Sequence, residues 1–294
     1  MGADPTVGTL LAEGVRRLQG AGTDPAAGTD PPTGATPDLD AQMLLAHALA
    51  VPRAHLKSHP ESRVAPPAAR EFRALLERRA AGEPLAYLTG WREFWTLRLT
   101  VTPAVLVPRP ETELLVERAL ALRAAPEGRV AELGTGSGAV ALALAAERPR
   151  WRIIATDVSP RALEVARANA ARLRISVEFR QGSWFEPLAG MCFDLVASNP
   201  PYVAADDPAM ASRALAYEPR LALTPGADAL VSLSAIVRGA PRHLRRGGWL
   251  LLEHGAQQGA QVRHELVLAG FRSVRSHRDL AGHERVTEAQ YGQI

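Results

Sequence analysis

Apolar residues first repeat at helical spacing: Leu10, Leu11, Val15 and Leu18 mark an amphipathic helix near the N-terminus. Residues 21–38 (AGTDPAAGTDPPTGATPD) then lose all apolar periodicity and fill with Gly, Pro, Thr and Asp. That composition reads as a flexible surface insertion. Helical spacing resumes at Leu39, with Leu44, Leu45 and Leu49 on one face. It returns over Pro67–Ala80, with Phe72, Leu75 and Leu76 pointing inward. Residues 1–89 are therefore expected to form a small helical bundle. The period changes after Gly82. Phe94, Trp95, Leu97, Leu99, Val101, Val105 and Val107 alternate through residues 90–107, which predicts a β-hairpin linker. Pro108 and Pro110 end it, and residues 111–123 return to helix.

From Arg129 the pattern alternates between strand and helix. Strands are expected at Val130–Leu133, Trp151–Thr156, Ser176–Arg180, Phe193–Ser198, Trp249–Glu253 and Phe271–His277. Helices are expected at Ala139–Glu147, Pro160–Arg172, Leu230–Pro241 and Gln258–Ala269. Repeated βα units imply an α/β fold with a mainly parallel, doubly wound sheet over residues 108–294. Ligands of such sheets lie beyond the carboxyl ends of the strands, where the strand order reverses.

Composition narrows this picture. With 294 residues the chain is long enough for two domains, and 47% apolar residues suffice for a real core. The single cysteine, Cys192, allows neither an internal disulfide nor a Cys-based zinc site. The eight histidines include no short-spaced pair, so no protein-bound metal is expected. A net charge of +3, nearly all of it from Arg, does not by itself argue for nucleic acid, and no stable nucleic-acid partner is expected. No run of 18 apolar residues is present, and the first twenty residues do not read as a signal peptide. A cytoplasmic location, with no membrane, is expected.

Two strand ends carry the chemistry. Glu132-Leu133 leads into Gly134-Thr135-Gly136-Ser137-Gly138, which follows the first strand and opens a helix. Its glycines permit positive φ and close approach of backbone to a ligand. Counted to Ala139 the run also fits a dinucleotide fingerprint, so NAD stays open on this motif alone. Asp157 ends the second strand, where a carboxylate can accept from ribose hydroxyls. The alternative role for Asp157, a helix N-cap, falls more naturally to Ser159 before Pro160. Trp184 follows the third strand and either packs on an adenine ring or sits in the core under a loop.

The fourth strand ends in Asn199-Pro200-Pro201-Tyr202. Consecutive prolines fix φ and lack N–H groups, so their carbonyls have no local donor. Asn199 Oδ1 and the Pro200 carbonyl can both accept from one planar –NH2 group. Tyr202 can stack on that group, and the nitrogen lone pair is left facing an electrophile. Asp194 and Glu132 are the candidates for a general base, and no motif marks either out. Arg109, Glu111 and Glu113 form a second cluster, open to reading as a rim contact or as a salt-bridged helix N-terminus. Glu253 could support the site from behind, and His254 reads as a satisfied buried histidine.

Asn-Pro-Pro-Tyr is similar to the signature of methyltransferases acting on adenine N6, cytosine N4 or the glutamine amide. The flanking motifs narrow the choice: Gly82 to Gly90, Arg92 to Trp95, Val107 to Glu113, Glu218-Pro219, Leu252 to Gly255 and Glu284 to Val286. From about residue 39 to 291 the chain resembles the PrmC (HemK) family of peptide-chain-release-factor glutamine N5-methyltransferases. The resemblance implies a helical N-terminal domain that helps hold the release factor, a hairpin linker, and a Rossmann-like class I S-adenosylmethionine methyltransferase domain. Its acceptor would be the glutamine of the factor's Gly-Gly-Gln loop. Gly134, Thr135, Gly136, Ser137, Gly138, Asp157 and Trp184 would bind S-adenosylmethionine. Asn199, Pro200, Pro201 and Tyr202 would bind the glutamine amide, with Asn199 also near the transferred methyl. Segment 21–38 is longer than the family leads one to expect. The competing readings are a nucleic-acid adenine or cytosine methyltransferase, an NAD-dependent oxidoreductase and a catalytically silent binding module. The first would need a basic, aromatic face for a flipped base. The second does not account for Asn-Pro-Pro-Tyr.

Overall fold

The computed structural model describes residues 4–21, 37–122 and 126–292. By spatial clustering the chain divides into two compact units, Met1–Trp91 with Pro208–Tyr217, and Arg92–Asp207 with Glu218–Ile294.

The smaller unit is helical: α1 (Val7–Gly20), α2 (Pro37–Ala48), α3 (Arg53–Ser58), α4 (Pro66–Ala80) and α5 (Leu85–Thr89). Thr6 and Thr9 cap α1 reciprocally, each side chain accepting from the other's backbone N–H at 3.3 and 2.8 Å, which satisfies two otherwise orphan donors. Leu10, Leu44, Leu45, Phe72, Leu75 and Leu76 are buried together as their spacing implies. Helices α1, α4 and α2 meet at Gly14, where an added Cβ would come within 2.9 Å of Phe72. The insertion read at 21–38 falls mostly outside the described residues. Its last two, Pro37 and Asp38, already belong to α2, so that helix starts before Leu39.

The division falls within the hairpin β1 (Trp91–Phe94) and β2 (Leu97–Thr100), which is followed by α6 (Glu113–Leu122). Alternation from Val101 to Val107 does not extend the hairpin, and the backbone there is irregular although Val101, Val105 and Val107 are buried. The α/β part then runs β3 (Gly128–Leu133), α7 (Ala139–Glu147), β4 (Trp151–Asp157), α8 (Pro160–Leu173), β5 (Glu178–Gln181), β6 (Phe193–Ser198), α9 (Arg220–Leu223), α10 (Val231–Gly239), β7 (Leu244–Glu253), α11 (Gly259–Leu268), β8 (Phe271–Arg278) and β9 (Glu284–Tyr291). One seven-stranded sheet has the order β5-β4-β3-β6-β7-β9-β8. The first five strands are parallel, and β9 runs antiparallel to both neighbours.

Strand β9 escapes the periodicity. Its sequence, ERVTEAQY, buries Thr287 and Glu288 beside Val286 and Ala289, so no apolar alternation announces it. Glu288 is paired with Arg118 at 3.1 Å and has His277 Nε2 3.0 Å away, neighbours that only the folded chain supplies. Strand β7 begins five residues before the expected Trp249, because Leu244 already pairs with Phe193. Helix α7, apolar up to its final Glu147, has both faces covered: Ala139 to Ala145 are all buried.

Candidate active site

Strand order reverses between β3 and β6, since β4 and β5 continue from one and β7 from the other. Register then aligns three strand ends. Leu133 lies beside Thr156 on one side and Ser198 on the other, so Gly134, Asp157 and Asn199 each follow the same line across the sheet. The Ser198 hydroxyl donates to the Leu133 carbonyl at 2.7 Å, tying the two central strands together at this end.

A cavity of about 410 Å³ opens there, within the range of roughly 300–1,000 Å³ usual for ligand sites. Gly134, Thr135, Gly136, Ser137, Asp157, Trp184, Asn199 and Pro201 line it. Gly138, Pro200 and Tyr202 are not among its walls. Gly138 instead sits at φ +84° at the start of α7, where an added Cβ would meet Leu142 at 3.0 Å and Ala166 at 3.3 Å. It is a tight turn that lets α7 approach α8.

The Gly-rich loop is held from beneath. Gly134 and Thr135 donate backbone N–H bonds to the Thr156 carbonyl at 2.8 and 2.9 Å. Gly136, at φ +55° with open space where a Cβ would be, donates to Asp157 Oδ2 at 2.8 Å. Asp157 Oδ1 accepts from Ser159 N at 2.8 Å, while Ser159 caps α8 as expected. Burial raises the Asp157 pKa although Ser159 and Gly136 donate to it. Trp184 adopts φ +44°, a strained conformation for a bulky residue. Its ring lies 3.5 Å from the Cβ position of Gly134, and its carbonyl accepts from the Thr156 hydroxyl at 3.0 Å.

On the other side, Asn199 Nδ2 donates to Thr112 Oγ1 at 3.1 Å, which leaves Oδ1 as the free end of that amide. The Tyr202 hydroxyl donates to Glu253 Oε1 at 3.3 Å, and the Tyr202 carbonyl accepts from Gln258 Nε2 at 2.9 Å. The Tyr202 ring is thereby tied to β7 through its hydroxyl, and the residue is not among those lining the cavity. Burial pushes the Glu253 pKa up to about 7 against the lowering effect of the Thr112 hydroxyl and Arg285. Glu132 also lines the cavity; burial lifts it to about 8, although Thr135 and the Ala141 N–H donate to its Oε2.

Asp194 is not at the reacting end. It lies at the start of β6, accepting from Arg129 N at 2.7 Å and Arg245 at 3.0 Å, so its side chain serves the opposite, amino end of the parallel strands. Arg109 lines the cavity and pairs with buried Glu218 at 2.5 Å; Glu218 also accepts from Val107 N at 3.1 Å. Arg109 thus lines the cavity while its charge is paired with Glu218, not with Glu111 or Glu113. Glu113 accepts from Trp95 N at 2.8 Å, a structural tie. His254 is buried, with its ring nitrogens 2.9 Å from the Gly255 carbonyl and 2.8 Å from Thr287 Oγ1, as a satisfied core histidine. The residue the sequence reading passed over is Thr112. It lies inside the run Val107 to Glu113, but nothing in that run singles out its hydroxyl. Among the described residues no cluster of His, Cys, Asp and Glu could hold a metal ion, and no helix is long and apolar enough to cross a membrane.

A Gly-rich loop, a strand-end carboxylate and an amide-ended strand at the switch point of this sheet define a Rossmann-like methyltransferase. Solved structures with the same fold include a methyltransferase from Pyrococcus furiosus (TM-score 0.52, 20% identity, covering 76% of this chain and 98% of that one) and the hMettl16 catalytic domain (TM-score 0.56, 17% identity, 75% and 82%). The model of the PrmC N-terminal domain matches residues 9–90, and that of the methyltransferase small domain matches residues 110–231. Relatives named release factor glutamine methyltransferase include those of Xylella fastidiosa (51% identity over 251 residues, 85% of this chain and 91% of the relative) and Vibrio cholerae (44% over 289 residues, 97% of each). That of Escherichia coli is 44% identical over 255 residues, 86% of this chain and 92% of the relative. The chain belongs to the release factor glutamine methyltransferase family.

Proposed function

We propose that this enzyme transfers a methyl group from S-adenosylmethionine to the side-chain amide nitrogen (N5) of the glutamine in the Gly-Gly-Gln loop of peptide-chain release factors, acting in the cytoplasm. The observation that carries this is the Asn199 side chain, whose nitrogen is engaged by Thr112 and whose oxygen is left for a donor in the cavity. A primary amide is such a donor.

The cavity suits S-adenosylmethionine on its own terms. Gly136 gives close backbone approach, Asp157 has carboxylate lone pairs beyond those used by backbone N–H groups, and Trp184 supplies an aromatic wall. Gly134, Thr135, Gly136, Ser137, Asp157 and Trp184 would hold the co-substrate, with Gly138 fixing the turn. When bound, S-adenosylmethionine supplies a methyl group made electrophilic by its sulfonium. Asn199 Oδ1 and the Pro200 carbonyl would accept from the two N–H groups of the glutamine amide, and Pro201 and Tyr202 would keep the turn in shape.

An amide nitrogen is a poor nucleophile because its lone pair is delocalised. This chain contributes by positioning, a factor worth up to roughly 7–11 kcal/mol when two reactants are held in line. The N–H bonds to Asn199 and Pro200 strengthen as positive charge develops on nitrogen. The test is transfer of labelled methyl to purified release factor beside a variant with the loop glutamine replaced by alanine. Label on wild type alone is the expected result. Label on neither factor, with transfer to DNA or RNA, would overturn the choice of acceptor.

A further inference from the structure

The Asn199-Pro200-Pro201-Tyr202 turn cannot hold itself. Its two prolines have fixed φ and no N–H, so neither can donate a backbone bond that would lock the turn. What stays adjustable is the direction of the peptide planes, the Pro200 carbonyl included, and the anchoring of the two ends sets it. At the front, the Ser198 hydroxyl donates to the Leu133 carbonyl at 2.7 Å, and Asn199 Nδ2 donates to Thr112 Oγ1 at 3.1 Å. At the rear, the Tyr202 hydroxyl donates to Glu253 Oε1 at 3.3 Å, but a bond at the tip of a long side chain fixes the backbone only loosely. The backbone itself is met by Gln258. Its Nε2 donates to the Tyr202 carbonyl at 2.9 Å, and its Oε1 accepts from the Gly255 N–H at 2.8 Å.

Gln258 is half-buried at the N-terminus of α11. One N–H and one carbonyl face it, so its amide has a single orientation, oxygen toward Gly255 and nitrogen toward Tyr202. The loop that carries it is anchored in turn. His254 N donates to the Arg285 carbonyl at 2.9 Å, and the His254 ring lies 2.8 Å from Thr287 Oγ1. The next residue, Gly259, is buried, and a Cβ there would collide with Glu284, so the loop has little room to shift. We propose that Gln258 is a positioning residue of the methyl-transfer site: by fixing the Tyr202 carbonyl against the β7–α11 loop, it sets the direction of the Pro200 carbonyl, the second acceptor for the substrate amide. Gln258 is not among the residues lining the cavity, so its effect belongs to turnover and not to co-substrate binding. The inference rests on the glutamine-methylation reading and deepens it.

Gln258→Glu keeps the acceptor for the Gly255 N–H and sets a carboxylate oxygen against the Tyr202 carbonyl. Gln258→Met keeps the length and removes both bonds. Gln257→Glu, at the exposed neighbouring position, controls for the added charge. With saturating S-adenosylmethionine and release factor, both Gln258 variants should lower kcat by about tenfold or more, the scale of a misplaced reacting group. Kd for S-adenosylmethionine, by calorimetry, should stay within about twofold of wild type and KM for release factor within about threefold, the split expected of a contact that matters in the transition state alone. Gln257→Glu should match wild type. Calorimetric stoichiometry gives the binding-competent fraction, and kcat is taken per competent site, so partial unfolding does not imitate the result. Near-normal kcat in Gln258→Met, a parallel loss of S-adenosylmethionine affinity, or an equal loss of kcat in Gln257→Glu would each overturn the inference. Wild-type enzyme run alongside separates the two claims: if it labels release factor normally, such results remove only the role of Gln258. If wild type fails to label release factor, the underlying reading falls and takes that role with it.

Discussion

Asp157 and Asn199 stand at equivalent points of neighbouring strand ends and do different work. Asp157 accepts from the Gly136 and Ser159 N–H groups, so it shapes the Gly-rich loop as well as offering lone pairs to a ligand. Asp157→Ala should therefore weaken S-adenosylmethionine binding by about tenfold or more, roughly 1.4 kcal/mol or above, measured by calorimetry. The Asn199 side chain engages Thr112 instead. Asn199→Ala should leave that affinity within about threefold while cutting kcat by about 10²-fold, the scale seen when a transition-state hydrogen-bond partner is removed. Retained turnover in the Asn199 variant would exclude the amide clamp. Both residues were visible in the sequence because each ends an apolar strand with an abrupt polar or Pro-rich stop. Thr112 was not, since a threonine beside glutamates has no pattern of its own and gains meaning only from the atoms it bridges.

Among elements, the turn from β3 into α7 is the most constrained. Gly138 combines φ +84° with side chains at 3.0 and 3.3 Å from its missing Cβ. Gly138→Ala should cost about 1–2 kcal/mol from backbone strain alone, with crowding against Leu142 and Ala166 added, read as a lower denaturant midpoint with an unchanged slope. Helix α7 itself was legible as an apolar run bounded by Gly and charge. Strand β9 was not, because its buried Thr287 and Glu288 are paid for by partners on α6 and β8, far away in sequence.

At the scale of the whole molecule, the site has an effect on stability. Burial raises Glu132 to about 8 and Glu253 to about 7, and raises Asp157 as well. Each then holds its proton longer in the folded chain than in the unfolded one. Their contribution is complete below the ordinary carboxylate range and is lost as pH rises toward the folded values. Carboxylates bonded to arginine act oppositely: Glu13 through Arg73 and Glu284 through Arg263 are lowered and lose their contribution as pH falls. Thermal stability should thus peak on the mildly acidic side and decline from about pH 5 to pH 8. Glu132→Gln should reduce that decline, with a gain in Tm at pH 8 relative to pH 5 of about 2 °C or more, the shift expected for ~1 kcal/mol in a domain of this size. Parallel pH curves for variant and wild type would show that Glu132 does not carry the effect.

The sequence by itself determined the helical start, the alternation that makes a doubly wound sheet, and the strand ends that carry Gly134, Asp157 and Asn199. These depend on local period and on residues whose backbone or hydrogen-bonding preferences are intrinsic. Tertiary structure decided the rest: the register that sets those three residues on one line, the antiparallel β9, the placing of Asp194 at the amino end of the strands, and the turning of Tyr202 toward Glu253. Each depends on which distant groups meet when the chain is packed, and a buried carboxyl group acquires its chemistry only from those neighbours.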